Sequence, residues 1–362
     1  MPVMTVNGLV GAGELGIIAP HEHILIDFRC QFTQFAEVSK KHLSEQKVSI
    51  KHIDILSRNP WAMKDNFLLD DVEAAMQELN RFKEAGGRTV VDVTNIGLGR
   101  DPEAIRKVGN FLGLHVVMGC GYYTAASHPP DMDQKKIADI EAEMIRDIRI
   151  GVGDTGIRAG IIGEIGTSEE IHPNEKKALI AAAHVQKETG LAMHVHTYSW
   201  GQRGLEILDI LEKNQADIRK VCIDHVDLLI DLQYCEEIIR RGACVEFENM
   251  GREYTVDGVK YVFARDLDKI HAILKLIERG YISNILISTD VCLKINLHMY
   301  GGWGYDHVLT NILPIMRRKG ITEEQIDRLV KDNPRKFLDV EEVSIRKNEA
   351  RRSPDIGTRR KG

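Results

Sequence analysis

Apolar, β-branched runs alternate with helix-like stretches along most of this 362-residue chain, and this alternation constrains the fold more than any other feature. Eight of the runs are continuously apolar, which is typical of strands that are buried on both faces of a parallel sheet. They span residues 15–23, 88–94, 114–123, 159–166, 191–197, 220–227, 243–251 and 284–290.

Stretches with helical periodicity lie between most of these runs, at 70–87, 101–113, 173–190, 204–214, 231–242 and 267–280, and another follows at 305–320. Several begin with acidic residues or proline and end in glycine, as helices do. The repeated strand–helix alternation predicts an α/β fold, a closed (β/α)8 TIM barrel. A doubly wound open sheet is the main alternative. It requires a glycine-rich phosphate turn after the first strand, where this chain has "HEH" instead.

The predicted barrel occupies residues 1–342 as a single domain. Residues 30–70 are long, polar and interrupted by Pro60, so we expect an insertion after the first strand that lies near the barrel mouth. Residues 343–362 are expected to form a basic, mobile tail, because the chain from Ile345 onward carries seven Lys or Arg residues and two acidic ones.

Composition excludes several classes of protein. The net charge of −6 argues against a general nucleic-acid binder, which is normally basic. No apolar run approaches the 18 or so residues of a membrane span, and the N-terminus has no secretory pattern, so a cytoplasmic protein is expected. The six cysteines include no C-x-x-C pair, and free buried thiols are the expectation.

Potential metal ligands collect at the predicted strand ends. His21 and His23 are two residues apart in the first strand and therefore point to the same face. Catalytic groups of a (β/α)8 barrel gather at the carboxyl ends of its strands. The other strand ends contribute further imidazoles and carboxylates: Glu164, His194, His196, His225 and Asp290. Such a cluster predicts two divalent metal ions, with zinc favoured and manganese, cobalt or iron as alternatives.

Seven motifs together carry a resemblance to a known family. They are "PHEH" at 20–23, "GEIGTSE" at 163–169, "HVHT" at 194–197, "IDHVD" at 223–227, "STD" at 288–290, "YGGWGYDHVL" at 300–309 and "DNPRKFL" at 332–338. With these motifs the chain resembles the phosphotriesterase-related proteins of the amidohydrolase superfamily over nearly its whole length. The enzymes that name the family bridge their metals with a carboxylated lysine. This chain has Glu164 at that position, as in one branch of the related proteins.

The resemblance implies a role for each ligand. His21, His23 and Asp290 would hold the more buried metal, His196 and His225 the more exposed one, and Glu164 would bridge them. His194 remains a rival to His196 on strand geometry alone, and the family's "HT" pattern favours His196 beside Thr197.

The predicted chemistry is hydrolysis. A hydroxide shared by two metals is a nucleophile at neutral pH, and Asp290 is placed to carry its proton to the leaving group. Lactones or related carboxylic esters, such as phosphorylated sugar lactones, are the first interpretation, with promiscuous phosphotriesterase activity. The alternatives are an amidohydrolase of an N-acylated small acid and, from another class, a metal-loaded barrel that binds a ligand without turnover.

Polar side chains near the predicted mouth favour a polar or anionic small-molecule substrate. Tyr123, Arg252, Lys294 and Tyr300 are the predicted substrate-binding residues, because Arg and Lys hold phosphate or carboxylate groups. Arg252 would take the part of the basic residue that similar sugar-lactone hydrolases carry after strand seven. Similar barrels are often dimers, so a homodimer is an expectation that no residue of the chain establishes.

Overall fold

The computed structural model describes residues 2–33, 41–255 and 262–339. The predicted tail at 343–362 and part of the predicted insertion, residues 34–40, lie outside the described residues. Within the described ranges, no helix is both long enough and apolar enough to cross a membrane.

Eight parallel strands form one sheet that curls until its two edges meet. The strands are β3 (Ile17–Glu22), β6 (Gly87–Asp92), β7 (His115–Cys120), β8 (Ile161–Gly166), β9 (Met193–His196), β10 (Val221–Ile223), β11 (Cys244–Phe247) and β12 (Ile285–Ile287). They lie side by side in chain order from β3 to β12. The edges β3 and β12 pack together, and the backbone N–H of His21 donates to Ser288 Oγ across them at 3.3 Å. The predicted (β/α)8 barrel is confirmed.

Helices connect the strands and cover the outside of the barrel. The larger ones are α3 (Val72–Glu84), α4 (Pro102–Leu112), α5 (Ile137–Arg149), α6 (Pro173–Thr189), α7 (Gly204–Lys213), α8 (Leu232–Arg240) and α9 (Asp266–Glu278). Aspartates cap three of them: Asp71, Asp101 and Asp231 accept hydrogen bonds from first-turn N–H groups of α3, α4 and α8. After β12 come a π-helix at Val308–Ile312, α10 (Leu313–Arg318), α11 (Glu323–Asp327), a second π-helix at Arg328–Asp332 and α12 (Asn333–Leu338).

Helix α5 is absent from the helices predicted from the sequence. Its buried positions Ile140, Met144, Asp147 and Ile148 follow the helical repeat, so the signal was present. The polar, proline-containing stretch that precedes it, residues 128–136, obscured that signal.

Shorter elements extend the barrel at both ends. Strands β1 (Pro2–Thr5) and β2 (Gly8–Gly11) form an antiparallel hairpin that the sequence analysis missed. It attaches to the barrel where the Val6 N–H donates to the Val116 carbonyl at 2.9 Å. Strand β4 (Ile26–Asp27) pairs with β5 (Leu68–Leu69). Between them lie the short helices α1 (Lys41–Ser44) and α2 (Ile53–Leu56), which belong to the predicted insertion at 30–70.

The barrel interior is layered. Its lower part is apolar and includes Val91, Val117, Ile161 and Leu286, with Phe337 of α12 packed in the same cluster. Its upper part, toward the carboxyl ends of the strands, contains buried histidines and carboxylates. The apolar layer supports the fold, and the polar layer is where chemistry is expected.

Candidate metal centre

The polar layer brings together all six predicted metal ligands. Because the eight strands run in one direction, residues at their carboxyl ends face one another across the barrel. Three of the six ligands lie in β3, β8 and β9, and the other three lie within three residues after the ends of β3, β10 and β12. They are His21, His23, Glu164, His196, His225 and Asp290.

The first group of ligand atoms comes from His21, His23 and Asp290, and these atoms all lie within 4.8 Å of one another. His23 Nε2 is 3.3 Å from Asp290 Oδ1, and His21 Nε2 is 3.8 Å from the same oxygen. All three side chains are buried. Thr94 Oγ1 lies 2.8 Å from the other ring nitrogen of His23, which fixes that ring.

The second group consists of Glu164, His196 and His225, again within 4.8 Å. Glu164 Oε1 is 2.9 Å from His196 Nδ1 and 3.0 Å from His225 Nε2. The same carboxylate reaches the first group, with Oε2 3.8 Å from His23 Nε2. Glu164 therefore lies between the two groups, where a bridging ligand belongs.

His194 belongs to a different cluster, below the six ligands. Its Nδ1 lies 2.8 Å from Asp224 Oδ1 and 3.2 Å from Glu246 Oε2. The other face of the ring contacts Phe337, with ring centroids 5.1 Å apart. The structure thus groups His196, rather than His194, with Glu164 and His225.

The donor set fits divalent cations. Among the described residues, His21 Nε2 has no hydrogen-bond partner, although the side chain is fully buried. His196 Nδ1 and His225 Nε2 are 2.6 Å apart and both face Glu164. Several buried nitrogen and oxygen atoms converge here, and there are too few protons for all of them to form hydrogen bonds with one another. A metal ion satisfies such a set of ligand atoms.

Electrostatics keep Glu164, Asp290 and His196 in metal-binding forms. Burial raises the pKa of Glu164, but the nearby His196 and His225 outweigh it and hold that pKa well below its usual range. Burial raises the pKa of Asp290, yet the charge of Arg252 and contacts with His23 lower it to about 2. Burial and the charge of His225 lower the pKa of His196, which favours the neutral imidazole that binds metals.

Two of the ligands have a left-handed backbone conformation, with φ of 61° at His225 and 45° at Asp290. Such conformations are unfavourable for residues with a Cβ and persist where the surrounding structure holds them, often at functional sites. At His225 the holding group is Glu248, which accepts hydrogen bonds from both the backbone N–H, at 2.7 Å, and the ring.

Sequence reasoning missed the carboxylates Asp224, Glu246 and Glu248 that surround these histidines. All three are fully buried. A signal existed for two of them, since "ACVEFENMG" places two glutamates within an otherwise apolar strand. An acidic side chain inside a barrel strand needs a buried partner, and histidines on neighbouring strands supply it.

Two of the predicted substrate-binding residues lie beside the ligands. The Tyr123 hydroxyl is 3.1 Å from His196 Nδ1. Arg252 Nη1 is 2.9 Å from Asp290 Oδ2. Both residues line a cavity of about 70 Å³ above the ligands, together with Phe28, Trp61, Leu228, Asn249, Phe263 and Cys292. Trp61 belongs to the predicted insertion, so this segment reaches the site.

The other two lie elsewhere. Lys294 forms an ion pair with Asp65 at 2.8 Å, and together with Tyr300 it lines a separate cavity of about 120 Å³ beside Asp71. The structure therefore does not bring Lys294 and Tyr300 into the cavity that contains the metal ligands. A larger cavity of about 640 Å³ lies at the amino ends of the strands and contains none of the six ligands.

Comparison with known proteins identifies the family. The phosphotriesterase family matches residues 1–338. The chain belongs to the phosphotriesterase family. Among the similar curated proteins, N-acetyltaurine hydrolase from Dictyostelium discoideum is 35% identical to this chain over 361 residues, which cover 93% of this chain and 98% of that protein.

Solved structures of similar proteins show the same fold. A resiniferatoxin-binding protein from Rhodobacter sphaeroides has a TM-score of 0.91 and 35% identity, over 93% of this chain and 95% of that chain. The phosphotriesterase homology protein from Escherichia coli, solved with phosphate in its active site, has a TM-score of 0.73 and 27% identity, over 90% of this chain and 99% of that chain.

These relationships confirm the predicted class of enzyme, a metal-dependent hydrolase of the phosphotriesterase family.

Proposed function

We propose that the chain is a two-metal amidohydrolase that cleaves N-acylated small acids of the N-acetyltaurine type. This is the alternative interpretation of the sequence. The names of the curated relatives favour it over the first interpretation, a lactonase, which stays a prediction.

One observation in the site carries the choice of an anionic substrate. Arg252 is buried, lines the small cavity and directs its guanidinium toward Asp290. Its Nε atom has no hydrogen-bond partner among the described residues. A buried guanidinium with an unused N–H can bind the sulfonate or carboxylate of a substrate through a charge-assisted hydrogen bond.

The proposed centre assigns each ligand a role. His21, His23 and Asp290 would hold the inner ion, His196 and His225 would hold the outer ion, and Glu164, which lies between the two groups, would contribute its carboxylate to both. We favour zinc, because imidazole and carboxylate donors suit it. Bound divalent ions supply Lewis acidity and lower the pKa of water toward neutrality.

The remaining steps belong to the side chains. Water adds to the amide carbonyl carbon and the C–N bond breaks. One proton of the water goes to the departing amine nitrogen, and the second, lost when the acyl group becomes a carboxylate, also goes to the amine, which leaves as an ammonium ion. Asp290 is the group that takes the proton from water and delivers it to the amine nitrogen. Arg252 holds the acidic end of the substrate, and the Tyr123 hydroxyl lies beside His196, where it can donate to the carbonyl oxygen.

A panel of matched substrates tests this function. Zinc-loaded protein is assayed with N-acetyltaurine, with N-ethylacetamide (the same amide without the sulfonate group), with an acyl homoserine lactone and with a phosphotriester. We expect kcat/KM to be highest for N-acetyltaurine and at least about tenfold lower for N-ethylacetamide, the cost of losing one charged contact. A higher value for the lactone would restore the first interpretation. Tight binding of N-acetyltaurine with no turnover of any substrate would support the non-catalytic alternative.

A further inference from the structure

Strand β11 and the residue after it carry two glutamates that contact two different metal-binding histidines. Glu246 lies within β11 and Glu248 follows the strand end. Being two residues apart, they project to the same side of the strand, into the barrel, about 7 Å apart along its axis. Both side chains are completely buried.

Glu246 is the lower of the two and faces both His194, at 3.2 Å, and His21. Its Oε2 lies 3.3 Å from His21 Nδ1, while Asp224 Oδ2 lies 3.6 Å from the same nitrogen. His21 Nε2 points the other way, toward Glu164 at 3.9 Å and Asp290 at 3.8 Å. A neutral imidazole has one N–H, so a metal on Nε2 places the proton on Nδ1, and Glu246 is the nearest acceptor for it.

Glu248 makes the equivalent contact with the other group. It accepts a hydrogen bond from the His225 ring at Nδ1 and another from the His225 backbone at 2.7 Å. His225 Nε2 is then directed at Glu164, 3.0 Å away. Asn249 Nδ2 donates to the same carboxylate at 2.9 Å and fixes it.

We propose that Glu246 and Glu248 are positioning residues that set the two metal sites separately, Glu246 through His21 at the inner site and Glu248 through His225 at the outer site. The proposal rests on the proposed metal centre. Carboxylates that hold the far nitrogen of a metal-binding histidine typically contribute 10- to 100-fold in metal affinity. Each glutamate contacts only one of the two histidines, so each effect should remain confined to one site.

Three variants test the proposal. Glu246→Gln and Glu248→Gln keep the size of the side chain and remove its charge. Glu78→Gln is the matched control, because Glu78 is an equally buried carboxylate that accepts hydrogen bonds from the backbone of His298 and Met299, away from the site. Zinc affinity is measured by competition with a chelator, and anomalous diffraction from zinc-soaked crystals gives the occupancy of each site.

We expect Glu246→Gln to weaken zinc binding at the inner site by about 10- to 100-fold and to leave the outer site within about twofold. Glu248→Gln should show the opposite pattern, and Glu78→Gln should match the wild type at both sites. If Glu246→Gln does not fold, Asp224→Asn replaces it, with a smaller loss at the same inner site, because Asp224 lies farther from His21.

The outcomes separate this proposal from the one it rests on. Wild-type protein that binds no zinc would overturn the metal centre and with it the proposed function. Wild-type protein with two zinc ions, combined with variants that weaken both sites equally or neither, would overturn the separate positioning alone.

Discussion

The guanidinium of Arg252 lies 2.9 Å from the carboxylate of Asp290, and both side chains are buried. Arg252 is further held by the Asn249 side chain at 2.9 Å and donates to Cys292 Sγ at 3.0 Å. The contact joins the proposed proton carrier to the proposed anion-binding group. On the proposed assignment, substrate binding and proton transfer would be coupled through the Arg252 side chain.

Replacing Arg252 by Met should weaken catalysis most for anionic substrates. We expect kcat/KM for N-acetyltaurine to fall roughly 10- to 100-fold, since a hydrogen bond to a charged group contributes about 1.5–3 kcal/mol. The loss with neutral N-ethylacetamide measures the effect on Asp290 alone and should be smaller. Arg203→Met, which removes an exposed arginine paired with Glu206, is the control. Equal losses with the two substrates would rule out Arg252 as the anion-binding group.

Replacing Asp290 by Asn should separate metal binding from proton transfer. The amide keeps an oxygen for the inner site but cannot accept a proton, so kcat should fall by about 10²- to 10⁴-fold. Zinc content should stay near the wild-type value, and amides with poor leaving groups should lose more than activated aryl esters. The proton-carrier role is wrong if the variant hydrolyses N-acetyltaurine at the full rate with zinc bound.

Glu164 is expected to bridge both metals. Glu164→Ala should therefore lose zinc from both sites, whereas Glu164→Gln, which retains one oxygen donor, should lose less. Elemental analysis after dialysis gives the zinc content of each variant. Bicarbonate in the loading buffer should make no difference, because a glutamate needs no carboxylation. Two zinc ions retained in Glu164→Ala would show that the bridge lies elsewhere.

The pH dependence of stability should reveal the cluster below the metal site. Burial lowers the pKa of His194, but Asp224 and Glu246 outweigh it and raise that pKa to about 9. A raised histidine pKa stabilises the fold fully below about pH 6.5, and this contribution disappears as the pH rises through 9. Zinc-free protein should accordingly lose stability, on the order of 3 kcal/mol, between these values.

Urea unfolding of zinc-free protein at several pH values measures this loss. In His194→Gln the slope between pH 6.5 and 9 should flatten, while His184→Gln, which removes a half-exposed histidine paired with Glu141, should keep the wild-type slope. An unchanged slope in His194→Gln would falsify the assignment.

The barrel and its ligands were predictable because two simple rules decide them. Parallel strands place their carboxyl ends together, and a period of two places His21 and His23 on one face. The same period also puts His194 and His196 on one face, so it could not choose between them. Depth along the strand decides, since the lower His194 meets Asp224 and Glu246 and the upper His196 meets Glu164.

The contacts of the loop residues were less predictable from the sequence. Arg252 and Lys294 both follow strand ends and carry the same charge. The turn after β11 directs Arg252 at Asp290, whereas Asp65 of the insertion draws Lys294 into a different cavity. The position of a loop side chain depends on partners that are distant in the sequence. Asp65, for example, is 229 residues away from Lys294.

Metal titration of hydrolysis tests the central claim most directly. Protein stripped with a chelator is reconstituted with increasing zinc, and release of taurine from N-acetyltaurine is measured at each step. We predict no activity without metal and a rate that rises to a plateau at two equivalents of zinc per chain. Full activity in the chelated protein, a plateau at one equivalent, or no taurine release at any zinc concentration would contradict a two-metal amidohydrolase.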